Sequence, residues 1–119
     1  MAKRVLVVDD HPAVALALKV VFRVDGRFEI AGSAQTAADG LQLPTGDMDA
    51  VLLDLHLPDM SGLPLVRAFR EHDPVTPLIL HSAADETPEI GQVRDLVDAV
   101  VLKSRVDELL ATLARLTDA

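Results

Sequence analysis

Hydrophobic and polar positions follow one another along the chain in five similar blocks. Each block opens with a short apolar run and continues with apolar residues three or four positions apart. Four of the runs cover residues 5–8, 50–53, 77–80 and 99–102, whereas residues 27–31, which include Arg27 and Glu29, are a weaker strand candidate. Continuous apolar runs of this length are typical of strands that are buried on both faces of a parallel sheet. The spacing that follows each run is typical of one face of a helix, so the pattern predicts five strand–helix units.

The predicted helices carry start signals of unequal strength. Pro12 suits the first turn of the first helix, whose inner face is predicted to hold Val14, Ala17, Leu18 and Val21. Ser33, Ser61 and Ser104 are predicted N-caps of the second, third and fifth helices. The fourth helix is the weakest prediction because Pro88 and Gly91 lower its helix propensity.

Five strand–helix units indicate a doubly wound α/β fold, in which helices cover both faces of a parallel sheet. Crossovers in such sheets are right-handed, and ligands bind beyond the carboxyl ends of the strands. The 119 residues suit a single domain spanning positions 1–119.

Composition excludes several classes of protein. The net charge is -8, with 11 basic and 19 acidic residues, so direct nucleic-acid binding by this domain is not expected, because it relies on clustered lysine and arginine. There is no cysteine, hence no disulfide or thiolate metal site. No apolar run approaches the ~20 residues of a membrane helix. No membrane contact and a cytoplasmic location are expected.

Polar residues end four of the apolar runs. They are Asp9 and Asp10, Asp54, Ser82 and Lys103, the serine one position beyond its run. In a parallel sheet these side chains gather at one edge. Two carboxylates ~5 Å apart repel by about 3 kcal/mol at an effective dielectric constant of about 20. A hard divalent cation such as Mg²⁺ would relieve that repulsion.

This set of side chains suits phosphoryl transfer. A carboxylate can attack phosphorus and form an aspartyl phosphate. A metal ion and a lysine neutralise the charge that develops, and a hydroxyl can bind a phosphoryl oxygen. Position in the chain does not decide which of the three carboxylates is the nucleophile.

Four segments resemble the motifs of response regulator receiver domains, in the order found in that family. They are residues 7–10 (VVDD), 53–62 (LDLHLPDMSG), 80–83 (LHSA) and 101–104 (VLKS). The resemblance covers the whole chain and implies the flavodoxin-like strand order 2-1-3-4-5. It implies that Asp54 accepts a phosphoryl group from a sensor histidine kinase or a small phosphodonor.

The resemblance also implies roles for the surrounding residues. Mg²⁺ would be bound by Asp10, Asp54 and the backbone carbonyl of His56, with Asp9 at the metal or acting through water. Ser82 and Lys103 would contact the phosphoryl group.

The resemblance extends to partners. Residues 10–12 (DHP) are similar to receivers that precede a helix-turn-helix output domain. The last two helices would contact a second copy of the chain or an output domain.

Two positions depart from the family pattern. Val100 stands where the family usually has a switch tyrosine or phenylalanine. Ser104 follows Lys103 in place of the frequent proline. A cis bond there would cost ~2.5–4 kcal/mol without proline, so a trans bond is predicted.

Other functions compete with this interpretation. An aspartate-nucleophile phosphatase commonly needs a second aspartate two residues after the first, where this chain has His56. A flavin or nucleotide carrier would share the fold, but no GxGxxG or P-loop motif is present. A receiver that binds partners without being phosphorylated is the main alternative. The chain is not expected to be an enzyme beyond assisting its own phosphorylation and dephosphorylation.

Overall fold

The computed structural model describes residues 1–84 and 87–119. Its five strands are β1 (Lys3–Val8), β2 (Phe28–Ala34), β3 (Ala50–Leu53), β4 (Leu78–Ser82) and β5 (Ala99–Leu102). They form one parallel sheet in the order β2-β1-β3-β4-β5. The predicted fold class and strand order are therefore confirmed.

The helices lie between and after the strands. They are α1 (Pro12–Asp25), α2 (Ala37–Gln42), α3 (Gly62–His72), α4 (Pro88–Val93) and α5 (Val106–Thr117), with 3₁₀ turns at Thr45–Asp47 and Arg94–Leu96. In the described parts of the chain no helix is long and apolar enough to cross a bilayer.

Two apolar layers hold the sheet between helices. Successive residues of a strand point to opposite faces, so Val5 and Val7 pack into one layer with residues of α1 and α5, including Phe22 and Leu113. Leu6 and Val8 pack into the other layer with α2, α3 and α4. Apolar burial on both faces explains why the strands are continuous apolar runs.

Several predictions of helix starts were wrong, because contacts with distant parts of the chain decide them. β2 extends to Ala34 because Val8 pairs with it, so Ser33 lies in a strand and Thr36 caps α2 instead, accepting the Asp39 N–H at 3.1 Å. In the described part of the chain Ser61 occupies the predicted N-cap position without a side-chain cap hydrogen bond.

The fifth and first helices also differ from their predictions. Arg105 stands at the N-cap of α5, one residue after the predicted Ser104. Ala17 is exposed, whereas Leu18 and Phe22 are the buried residues of α1. Helix α4 has only six residues, in line with its low predicted propensity. No cis peptide bond occurs in residues 1–84 or 87–119, which agrees with a trans bond after Lys103.

Long-range polar contacts fix the helices to the sheet edges. Asp59 accepts the N–H groups of Ala37 and Ala38 at 2.9 and 3.0 Å, so the loop after β3 caps α2. On α3, Arg70 donates to the Thr76 carbonyl at 3.1 Å and to the Asp98 carboxylate at 2.6 Å. These contacts hold the loop after β3 against α2, and the segments before β4 and β5 against α3.

Candidate functional site

The carboxyl ends of β1 and β3 bring the acidic residues together. Val8 and Leu53 are register partners, so Asp9 and Asp54 leave neighbouring strands at the same level. The Asp54 N–H donates to the Val8 carbonyl at 2.9 Å, and the Asp9 N–H donates to the Ala34 carbonyl at 2.9 Å. Backbone pairing alone therefore places both carboxylates at one edge of the sheet.

Lys103 lies opposite these carboxylates. Its N–H donates to the Ser82 carbonyl at 2.7 Å, which fixes the residue beyond β5. Its Nζ lies 2.8 Å from Asp9 Oδ2 and 3.2 Å from Asp54 Oδ2. The ammonium thus bridges two buried carboxylates, as the strand-end pattern predicted.

Burial and pairing shift the acid–base behaviour of this group. Burial would raise the pKa of Asp9, but contacts from Lys103 and His11 outweigh it and hold that pKa below 3.8. Burial would lower the pKa of Lys103, but its bonds to Asp9 and Asp54 raise it above 10.5. Both groups are therefore charged at neutral pH.

Four residues offer ligand atoms for one cation. One oxygen or nitrogen from each of Asp9, Asp10, His11 and Asp54 lies within 4.8 Å of the others. Asp9 Oδ2 is held by the Lys103 ammonium at 2.8 Å. Among the described residues, Asp10 Oδ1 is a buried oxygen without a hydrogen bond, and the His11 Nδ1 lies 3.0 Å from it. A buried carboxylate oxygen of this kind fits a hard divalent cation such as Mg²⁺.

His11 belongs to this cluster, although the sequence reasoning assigned it no role. Its N–H and its Nδ1 lie 2.9 and 3.1 Å from Asp9 Oδ1, and Nδ1 lies 3.0 Å from Asp10 Oδ1. The signal that could have revealed it is its place directly after Asp10, at the turn between β1 and α1.

The other predicted site residues lie near the cluster with different partners. Ser82 is buried at the end of β4, and its hydroxyl donates to the Ala84 carbonyl at 2.6 Å. The His56 N–H donates to Asp54 Oδ1 at 3.2 Å. The exposed His56 ring has its Nε2 3.5 Å from Glu89 Oε1.

His81 is a buried histidine close to the charged cluster. Burial lowers its pKa to about 4, Lys103 adds to that effect, and Asp9 and Asp54 oppose it. The imidazole is therefore neutral at pH 7. Because the fold lowers its pKa, protonation of His81 would cost stability.

The arrangement can support chemistry at an incoming phosphoryl group. It combines a carboxylate next to an ammonium, further carboxylates that suit a cation, and a serine hydroxyl at the adjacent strand end. Phosphoryl transfer depends mainly on positioning and on neutralising charge at the equatorial oxygens. The Lys103 ammonium and a cation held by the carboxylates are the groups of this pocket that could neutralise such charge.

Comparison with protein families gives one match across most of the chain. The family model described as the response regulator receiver domain matches residues 5–114. The nitrate/nitrite response regulator protein NarP of Escherichia coli (strain K12) is 28% identical over 109 residues, which are 90% of this chain and 51% of NarP. The chain spans about half of NarP, and 39% and 42% of two other curated relatives.

Solved structures show the same fold. A DNA-binding response regulator of the LuxR family from Staphylococcus aureus superposes with a TM-score of 0.83 at 23% identity, over 97% of this chain and 98% of that chain. RcsB from Salmonella enterica serovar Typhimurium, bound to promoter rprA in the presence of phosphomimetic BeF3-, gives 0.81 at 22% identity over 93% of this chain and 98% of that chain.

Proposed function

This chain belongs to the response regulator receiver domain family of two-component signalling, and we propose that it works as a phosphorylation switch in which Asp54 is the acceptor. The observation that supports this most strongly is the position of Lys103. Its ammonium lies within 3.2 Å of both Asp9 and Asp54. A lysine in this position can stabilise negative charge on the attacking carboxylate and then on the phosphoryl oxygens.

The proposed reaction moves one phosphoryl group between two nucleophiles. An Asp54 oxygen forms a bond to phosphorus as the phosphorus–nitrogen bond to a kinase histidine, or the phosphorus–oxygen bond of a small phosphodonor, breaks. The electron pair of the broken bond stays on the departing nitrogen or oxygen. Asp9 is the poorer nucleophile, because its side chain is 2% exposed and both oxygens are engaged by His11 and Lys103.

We propose Mg²⁺ as the cofactor of this transfer. Receiver domains bind Mg²⁺ at an acidic pocket, and Asp10 and Asp54 fit it because they offer carboxylate oxygens in one cluster. The backbone carbonyl of His56 would be a further ligand. Asp9 would act at the ion or through water. When bound, Mg²⁺ would offset negative charge on the carboxylates and on the phosphoryl oxygens.

Ser82 would change partner when Asp54 is phosphorylated. In the unphosphorylated structure its hydroxyl is held by Ala84, and we propose that it turns to donate to a phosphoryl oxygen. The Ala84 carbonyl would then lose its donor. Half-buried Val100 packs against the adjacent apolar layer where the family has an aromatic residue, so the change would not be carried by an aromatic flip at that position.

Phosphorylation in the absence of a kinase tests the proposal. The protein is incubated with acetyl phosphate and Mg²⁺, and its intact mass is measured. We expect the mass of one phosphoryl group to be added, and lost again when Asp54 is replaced (Asp54→Asn). Asp95→Asn, at an exposed position, is the matched control and should be phosphorylated like the wild type. An unmodified wild-type protein would favour the phosphorylation-independent alternative.

A sensor histidine kinase is the proposed partner, and α1 is its proposed docking surface. Among the described residues, Leu16, Val20 and Val24 are large apolar side chains that are 61–84% exposed, and they lie four positions apart on one face of α1. Helix α1 starts next to the acidic cluster, so a partner on this face could present a histidine to Asp54. The last two helices expose one large apolar residue, Val106 at 37%.

The remaining expectations are also proposals. Residues 1–119 would act as one receiver domain in the cytoplasm, as is typical of the family. Contacts through α4 and α5 to a second copy or an output domain would carry the signal, and DNA contacts would belong to such an output domain.

A further inference from the structure

We propose that His11 is an additional metal ligand, which lets the acidic pocket bind a transition-metal ion such as Zn²⁺ or Co²⁺ more selectively than the three carboxylates alone would. The inference rests on the proposed function only in placing a cation among Asp9, Asp10 and Asp54. It adds a nitrogen donor to an otherwise oxygen-only set. Imidazole suits zinc, copper, iron and nickel, whereas Mg²⁺ prefers oxygen.

The spacing of the ligand atoms supports this assignment. Two neighbouring ligands of an octahedral ion, each ~2.1 Å from the metal, lie about 3.0 Å apart, and opposite ligands lie about 4.2 Å apart. His11 Nδ1 lies 3.1 Å from Asp9 Oδ1 and 3.0 Å from Asp10 Oδ1. The group including Asp54 spans no more than 4.8 Å. Small adjustments would bring all four atoms around one ion.

The backbone holds His11 in this place. Its N–H donates to Asp9 Oδ1 at 2.9 Å, and Pro12, which follows it in the first turn of α1, restricts the chain. The His11 side chain is 66% exposed, so the ring can turn without disturbing the core. Asp10 Oδ1, which Nδ1 approaches, is a buried oxygen without a hydrogen-bond donor among the described residues.

An ordinary hydrogen-bonding role is the competing explanation. An N–H at Nδ1 could serve both carboxylates, and the proton would then occupy the place proposed for the metal. The two explanations differ in what replacing His11 does to metal selectivity. Loss of a nitrogen ligand weakens Co²⁺ and Zn²⁺ more than Mg²⁺, whereas loss of a hydrogen-bond donor has no such preference.

The test compares Co²⁺ and Mg²⁺ affinities in three proteins by calorimetric titration. In His11→Gln, we expect the ratio of Co²⁺ to Mg²⁺ affinity to fall at least roughly tenfold relative to the wild type, because even the loss of a residue that only supports a metal ligand costs about that much. His72→Gln, at an exposed position in the last turn of α3, should keep the wild-type ratio. An equal ratio in all three proteins would overturn the proposal.

A second readout does not depend on replacing His11. When Zn²⁺ is added to the labelled wild-type protein, the ¹⁵N resonance of His11 Nδ1 should move from its free position, and it should not move when Asp10 is replaced (Asp10→Asn). A shift at Nε2 alone would mean binding from outside the cluster and would refute the assignment. Acetyl phosphate labelling separates the two proposals. Labelling of the wild type without a change of metal selectivity in His11→Gln would refute only the His11 ligand. A change of selectivity without labelling would refute only Asp54 as the phosphoacceptor.

Discussion

Replacing Asp54 by asparagine should stabilise the metal-free protein. The change removes one negative charge from the cluster while keeping the shape of the side chain. Asparagine retains an oxygen that can accept the His56 N–H, which now donates to Asp54 Oδ1 at 3.2 Å. The effect therefore reports mainly on charge.

Opposing charge interactions set the size of the effect. At an effective dielectric constant of about 20, the attraction between Asp54 and Lys103 across 3.2 Å amounts to about 5 kcal/mol. Repulsion from Asp9 and Asp10, each within 4.8 Å, amounts to about 7 kcal/mol together. Screening at Asp10, whose side chain is 34% exposed, reduces the difference to about 1–2 kcal/mol in favour of the variant.

Thermal unfolding in a chelator measures this difference. A gain of about 1–2 kcal/mol corresponds to a Tm increase of about 4–8 °C for a domain of this size. Saturating Mg²⁺ should then raise the Tm of the wild type more than that of Asp54→Asn, because a ligand that binds only the folded state stabilises it. The Tm difference should therefore shrink or reverse.

Asp9→Asn is the matched control, and the opposite sign is expected. The pKa of Asp9 is lowered in the folded protein, because its contacts to Lys103 and His11 outweigh burial. The fold thus favours the charged form, and neutralising Asp9 should lower the Tm in chelator. An Asp54→Asn variant that melts at or below the wild-type Tm in chelator would refute the clustered-carboxylate reasoning.

Three further outcomes are expected. The pKa of His81 is lowered from 6.5 to about 4 in the folded protein. Between these pH values the unfolded state binds the proton and the folded state does not. The free energy of unfolding should therefore fall by ~3 kcal/mol as the pH drops from 6.5 toward 4. Denaturant titrations of the metal-free protein at several pH values should show this loss, and the loss should be smaller in His81→Phe. Arg70→Lys should destabilise by about 1–2 kcal/mol in urea, because lysine cannot span the Thr76 carbonyl and the Asp98 carboxylate together; an unchanged midpoint would contradict this. Val20→Asp should slow phosphotransfer from a histidine kinase but not labelling by acetyl phosphate, whereas equal rates with the kinase would exclude the α1 docking surface.

The strands and the acidic pocket could be predicted from sequence because both depend on regular patterns. Strands buried on both faces must be apolar throughout, so the first polar residue marks the strand end. In a parallel sheet those ends share an edge. Asp9, Asp54 and Lys103 could therefore be placed together without coordinates, and the ion pairs of Lys103 follow from that placement.

The errors concern features that depend on distant contacts. Ser33 has a good capping side chain, but pairing with β1 draws it into β2, and Thr36 takes the capping role. Asp59 caps α2 from 21 and 22 residues away, which no local pattern indicates. From sequence, His11 is interpreted as a surface or loop residue and not as a zinc ligand, because its contact with Asp10 depends on how the turn before α1 directs its ring.

The most direct test of the central claim is to identify the carboxylate that carries the phosphoryl group. After labelling with acetyl phosphate and Mg²⁺, borohydride reduces an acyl phosphate to an alcohol, and peptide sequencing by mass spectrometry locates the altered residue. We expect conversion at Asp54 alone, and none when Mg²⁺ is withheld. Conversion at Asp9 or Asp10, or no conversion at any aspartate, would contradict the assignment of Asp54 as the phosphoacceptor.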